Sequence, residues 1–136
     1  MPFLLDADHP KGDRLTDSQN CLRSQDFEEV GDNRHITFFE MLGNWSLGSY
    51  FTDEKIPALW DFLTRVVGLD PERIYVSVFG GDPDKGIPRD EESADIRARL
   101  FSAAGISADR VDLGTEEHGN EVRNQRARIT FYGGKD

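Results

Sequence analysis

A chain of 136 residues suffices for one domain with a core and is too short for a multidomain enzyme. Its 26 acidic and 16 basic residues give a net charge of −10, so the surface repels polyphosphates on average and a nucleic-acid role needs a locally basic site. The single cysteine, Cys21, excludes an internal disulfide framework and a cysteine-based zinc cage and suits a reducing, cytoplasmic setting, and neither a secretion leader nor a membrane span is expected.

Residues 2–17 carry the cluster His9-Pro10-Lys11-Gly12-Asp13 and read as an irregular, turn-rich segment. A short strand is expected over Asn20–Ser24, then an acidic loop from Gln25 to Asn33, then a second strand from Arg34. Two such runs suggest an antiparallel hairpin with a long loop. Phe38, Phe39, Trp45, Tyr50 and Phe51 gather in the stretch Arg34–Phe51, where Gly43 and Gly48 are expected to punctuate a loop after the strand. Thr52 or Asp53 can cap a helix that takes Pro57 in its first turn and stops at Gly68. Ile56, Leu59, Trp60, Leu63, Val66 and Val67 make one apolar face of it, which assigns Trp60 to core packing.

Ile74–Phe79 is rich in β-branched and aromatic residues and reads as a strand. The segment GGDPDKG that follows lacks the Gly-Lys-Ser/Thr ending of a phosphate loop and the spaced ligands of a calcium loop, so it reads as a surface loop. A second helix runs from the cap Asp90 to Ala104, with Glu91 and Glu92 suiting its positive end and Gly105 as its stop. Its apolar face, Ile96, Leu100, Phe101 and Ala104, is thinner than that of the first. Two more strands, Arg110–Leu113 and Arg128–Tyr132, flank a polar loop over Thr115–Gln125.

No nucleophile elbow surrounds Ser46 or Ser49, and His9, His35 and His118 are not spaced as metal ligands, so no metal site is expected. Cys21 reads as a small packing residue. What remains is the hairpin, where Arg23 would meet Phe38 and Phe39. An arginine offers a planar fork to a phosphate and an aromatic ring offers a face to a base, which together suit a nucleotide. Alternation places Ile36 and Phe38 on one face and His35, Thr37, Phe39 and Met41 on the other. The more polar set should face a ligand, making Phe39 the stacking candidate and Phe38 a core residue. Glu40 then falls on the supposed core face, which a bulge near Met41 or partial exposure would explain. The plainer alternative pairs Arg23 with Asp26 or Glu28 and packs both rings in the core.

Ser18-Gln19, Cys21, Arg23, Val30-Gly31, Arg34-His35 and the run TFFEMLGN at 37–44, followed by Ser46, Gly48 and Tyr50-Phe51, resemble the alanyl-tRNA synthetase catalytic domain around its motif 2. The resemblance extends through DFLTRVVGLDPERIYVSVF and GDPDKGIPRDEES, and His9-Pro10-Lys11-Gly12 is similar to the family's lead-in to motif 2. It implies an α+β class II synthetase fold, an antiparallel sheet flanked by helices, present in part: one domain over 1–136, with the motif 2 hairpin and following loop at 18–51 and a helix-strand-helix-strand continuation at 52–136.

By that resemblance Arg23 is the catalytic arginine that holds the ATP α-phosphate. Phe39 stacks on adenine, matching the pattern from His35, while Phe38 matches it from Arg34. His35 and Met41 join the ATP site, and Asp26 and Glu28 lie in the loop that contacts ATP and tRNA. That loop, Ser24–Glu29, is shorter than the family's Gly-Gly-Lys-His-Asn form and lacks its lysine and histidine. The implied activity is alanine–tRNA ligase: alanine and ATP, with Mg²⁺ on the phosphates, give alanyl-adenylate, and the alanyl group passes to tRNA(Ala). Motif 1, the amino-acid pocket, motif 3 and the editing domain are expected in other synthetase polypeptide, a further partner. The alternatives are a non-catalytic nucleotide- or tRNA-binding module derived from the synthetase, and an inert truncated fragment.

Overall fold

Nine residues from Arg14 to Leu22 (β1) run antiparallel to nine from Phe38 to Ser46 (β2), in an unbroken register that sets Arg14 opposite Ser46 and Leu22 opposite Phe38. The computed structural model describes residues 8–32, 35–113 and 127–132. The chain divides into two compact units, Met1–Phe51 and Thr52–Asp136.

In the first unit β1 begins at Arg14, inside the segment expected to be irregular, and ends at Leu22, so the expected strand Asn20–Ser24 is both lengthened and shifted. The polar run Arg14–Asn20 has little strand propensity of its own, and it is extended because β2 supplies its hydrogen-bond partners. β2 starts four residues after Arg34 and continues through Gly43, which is a strand residue and not a loop marker. The loop comes later, where the Ser46 hydroxyl accepts from the N–H groups of Ser49 (3.1 Å) and Tyr50 (2.8 Å) and donates to the Tyr50 carbonyl (2.7 Å). The Arg14 guanidinium lies 4.8 Å from the Tyr50 ring centroid, tying the end of this loop to the start of β1.

The second unit follows its sequence pattern closely. Helix α1 (Thr52–Asp61) passes into a π-type turn, Phe62–Val66, closed by Val67 N–H donating to the Phe62 carbonyl (2.9 Å). Leu69 N–H donates to the Leu63 carbonyl (2.9 Å) with Gly68 at φ +77°, a glycine-terminated helix end. Pro57 sits in the second turn of α1 rather than the first. Ile56, Trp60 and Leu63 turn inward, whereas Val66 and Val67 are exposed beyond the end of α1.

Helix α2 (Glu91–Ala103) is capped by Asp90, whose carboxylate accepts from Ser93 N–H (2.9 Å). Ile96 and Phe101 are buried as expected, while Ala104 is exposed. The strands β3 (Val76–Phe79), β4 (Asp109–Leu113) and β5 (Ala127–Tyr132) form a three-stranded sheet in the order β3-β5-β4. Both pairings are parallel. The α+β class thus combines an antiparallel hairpin with a parallel sheet, in which the helical crossover through α2 brings β3 and β4 to the same direction on either side of β5. The polar loop expected at Thr115–Gln125 lies outside the described residues.

The core of this unit is Val78, Ala94, Phe101, Ile129 and Phe131, with Trp60 packed edge-on against Phe101 at 4.9 Å between centroids and 80° between planes. Full burial of a side chain like Phe101 contributes about 1.5–3 kcal/mol, and the aromatic pair adds about 0.5–1.5. Thr130, only 5% exposed, meets the Ser77 hydroxyl (2.9 Å) and donates to the Val76 carbonyl (3.3 Å), so its burial leaves no polar group unmet.

The GGDPDKG segment closes on itself. Asp82 and Ile87 exchange backbone hydrogen bonds of 2.9 Å in each direction, and Lys85 Nζ reaches Asp82 Oδ2 at 2.8 Å. Gly81 has φ +88°, and a Cβ there would stand 3.0 Å from the Arg89 nitrogen and the Ile87 oxygen, both backbone; Gly86 has φ +67° with open space around it. Gly81→Ala should therefore cost roughly 2 kcal/mol or more and Gly86→Ala about 1 kcal/mol in urea unfolding. Equal losses would contradict the close backbone approach at Gly81.

Candidate functional site

Directly opposed residues of an antiparallel pair project to the same side of the ribbon. Cys21 faces Phe39 and Gln19 faces Met41, and Arg23, one residue past β1, donates its N–H to the Thr37 carbonyl at 2.7 Å and so continues the ladder by one more pair. Arg23, Cys21 and Gln19 consequently share a face with Thr37, Phe39, Met41, Gly43 and Trp45. On that face the Arg23 guanidinium carbon lies 4.9 Å from the Phe39 ring centroid. Such a contact contributes about 0.5–1 kcal/mol at an exposed site, enough to bias a long flexible side chain toward one position.

Of the residues singled out in the sequence, Arg23, Phe39 and Met41 are brought to one face. The opposite face carries Leu22, Phe38, Glu40 and Leu42. Phe38 is 67% exposed, so its assignment to a core fails. The alternation was read correctly, but a two-stranded ribbon has two outer faces and no covering layer among its own residues. Glu40 raises no conflict for the same reason: it is exposed, accepts from the Ser18 hydroxyl at 3.0 Å, and needs no bulge.

His35 is held elsewhere, in the segment before β2. Its Nδ1 is 2.7 Å from Asp32 Oδ2 and its Nε2 is 2.8 Å from Glu29 Oε2, while its backbone N–H donates to Asp32 Oδ1 at 2.7 Å. Two carboxylate acceptors on one imidazole are both satisfied when both ring nitrogens carry a proton. Asp26 and Glu28 fall in the 3₁₀ turn Ser24–Glu28 that follows β1; Glu28 is exposed, and the Asp26 side chain lies outside the described residues, as does Arg34. Arg23 forms no ion pair with a described acid, and its ring contact with Phe39 is what the structure shows for it; the expected partner Asp26 has its side chain outside the described residues.

Two features of the site escaped the sequence reading. Trp45 lies across Gly43: a Cβ built on Gly43 would come within 2.4 Å of the indole Cη2 and 2.8 Å of Cζ2. A glycine two residues before a tryptophan in a strand is the available signal, because i and i+2 share a face and only glycine leaves room for the ring. The acid pair around His35 was signalled by Asp32 three residues before it, a spacing suited to a side-chain-closed turn. Among the described residues no cluster of three or more His, Cys, Asp or Glu side chains could hold a metal ion, and no helix is long and apolar enough to cross a membrane.

The hairpin face thus carries a basic fork lying on an aromatic ring, and the sequence comparisons identify the family. The model of tRNA synthetases class II (A) matches residues 1–124, and the chain belongs to that family. Among the relatives it matches are alanine–tRNA ligases. It is 52% identical to that of Treponema pallidum (strain Nichols) over 102 residues, 74% of this chain and 16% of the relative. It is 46% identical to that of Borrelia hermsii (strain HS1 / DAH) over 120 residues, 87% of this chain and 19% of the relative. It is 47% identical to that of Rubrobacter xylanophilus over 93 residues, 68% of this chain and 10% of the relative. The chain thus spans less than a fifth of the length of these relatives.

Gly43 supplies a test of the site's geometry. In a Trp60→Phe background, Gly43→Ala must push the Trp45 ring off the strand and shift its fluorescence emission to longer wavelength. The ring is the movable partner, so stability should fall by no more than about 1 kcal/mol. Unchanged emission would contradict the seating of Trp45 on Gly43.

Proposed function

We propose that the β1–β2 hairpin is the nucleotide-holding part of an alanine–tRNA ligase. In the reaction, a carboxylate oxygen of alanine attacks the α-phosphorus of ATP, a bond forms between them, and pyrophosphate leaves with the electrons of the broken P–O bond. The alanyl group then passes from the adenylate to the 3′ end of tRNA(Ala). Negative charge builds on the α-phosphate oxygens during attack, and a fixed guanidinium fork facing them lowers the barrier without reorganising. Arg23 fills that role in this reading. Phe39 holds the arginine on one side of its ring and offers the other side to adenine, and Met41 supplies adaptable apolar contact further along the same face.

The single observation that supports the reading most is the Arg23 guanidinium lying 4.9 Å from the Phe39 ring centroid, on the face shared with Met41. Mg²⁺ enters as part of the nucleotide substrate. His35 supports the site indirectly in this reading: its bonds to Glu29 and Asp32 fix the chain just ahead of β2. Glu28 and Asp26 belong to the connection that would approach ATP and tRNA. The reaction as a whole calls on polypeptide of the length the relatives have, and a cytoplasmic setting follows from the substrates.

Calorimetry with MgATP tests the binding half. Arg23→Ala should weaken binding about ten- to hundredfold, the range of a charge-assisted hydrogen bond to phosphate, and Phe39→Ala by a similar factor through lost stacking. Unaltered affinity in both variants would sink the site. Alanine-dependent exchange of labelled pyrophosphate into ATP, assayed with the complementing synthetase polypeptide, tests the chemistry: exchange lost in Arg23→Ala is expected, and nucleotide binding without any exchange would instead favour a non-catalytic module.

A further inference from the structure

The connector from β1 to β2 is drawn together by one imidazole, that of His35. Its Nδ1 stands 2.7 Å from Asp32 Oδ2 and its Nε2 2.8 Å from Glu29 Oε2, while the His35 backbone N–H donates to the other Asp32 oxygen at 2.7 Å. The charged groups at the two ring nitrogens are thus both carboxylates. Protonated, the ring donates to each of them. Neutral, it keeps one proton and turns a lone pair toward the second carboxylate, so one of the two contacts changes from attraction to repulsion. The side chains of His35, Glu29 and Asp32 are 39%, 61% and 42% exposed, so solvent screens the effect without erasing it.

The consequence falls on the Arg23–Phe39 face. His35 precedes by two residues Thr37, whose carbonyl accepts from the Arg23 N–H at 2.7 Å. That rung lies one pair beyond Leu22 and Phe38, where the paired strands end, and the end of a ladder frays unless something holds it. We propose that the His35 imidazolium, bridging Glu29 and Asp32, is a proton-operated clamp on this last rung, keeping Arg23 seated over Phe39 and releasing it when the ring is neutral. The carboxylates favour the charged ring, so the stabilisation is fully present below about pH 6.5, where a free histidine titrates, and is lost as pH rises through the ring's own higher midpoint. Protonating the carboxylates removes the partners, so the clamp opens again in strong acid. It sets where Arg23 stands whatever binds there, and its failure would leave the ligase reading untouched.

Solution NMR of the full chain, titrated from about pH 5.5 to about 8.5 without nucleotide, is the test. The His35 ring should titrate at higher pH than a histidine in an unstructured peptide. Protection of the Arg23 amide against exchange, corrected for the intrinsic effect of pH, should fall roughly three- to tenfold with the same midpoint. Glu29→Gln keeps the size of the side chain and removes its charge, and it should move both midpoints to lower pH together. In His35→Gln the Arg23 protection should not depend on pH over this range. A ring that titrates as in the peptide, Arg23 protection that stays constant while the ring titrates, or an unchanged pH response in His35→Gln would each overturn the proposal. If either variant does not fold, the titration of the unaltered chain still decides.

Discussion

The pairing of Cys21 with Phe39 governs everything that the hairpin can do. Because side chains alternate with a period of two, a slip of one residue would carry Phe39 and Met41 to the far side of the ribbon and leave Phe38 in their place. Neither strand has a buried face to enforce the choice. Register is instead fixed by the ladder itself, continued by Arg23 and Thr37, and by local contacts: the Thr16 hydroxyl with the Gly43 carbonyl, Ser18 with Glu40, and Arg14 with Tyr50. Each contributes only tenths of a kcal/mol to about 1 kcal/mol, in keeping with a two-stranded ribbon that is marginal on its own.

The second unit is stabilised differently. Every buried apolar side chain among the described residues belongs to it, centred on Phe101 and Ile129. Around the N-terminus of α2 runs a set of charged contacts: Arg89 meets Glu91 and Asp112 and lies 4.4 Å from the Phe131 centroid, and Arg110 meets Glu91 at 3.4 Å and Asp95 at 2.6 Å. These groups are about a third to three-quarters exposed, so each pair contributes little energy; what they supply is orientation of α2 against β4 and β5. Scaffold and site are thus built on opposite economies, one by burial and the other by register.

How much of this could be read in the chain follows the same division. The second unit was legible because its signals are local: the caps at Asp90 and Gly105, the spacing of Ile56, Trp60 and Leu63, and the β-branched strand ending at Phe79. The parallel pairing was not, since direction depends on the crossover and not on any strand's composition. In the first unit β1 was hidden because Arg14–Asn20 is polar and becomes a strand only through its partner. Phe38 was placed in a core because alternation tells which residues share a face but not whether that face is covered. Arg23 and Phe39 are singled out by the family resemblance and by alternation together, and their contact puts both on the same face. His35 shared that face by parity, yet its ring is engaged by Glu29 and Asp32, which lie outside the strand where alternation applies.

The account stands or falls on the register that puts Arg23 over Phe39. Solution NMR measures it directly, through cross-strand proton contacts and through the ring-current displacement of the Arg23 side-chain protons. Contacts between Cys21 and Phe39 and between Gln19 and Met41, with Arg23 δ-protons moved upfield and restored in Phe39→Leu, are the predicted result. Contacts from Cys21 to Phe38, or Arg23 protons unaffected by Phe39→Leu, would contradict it.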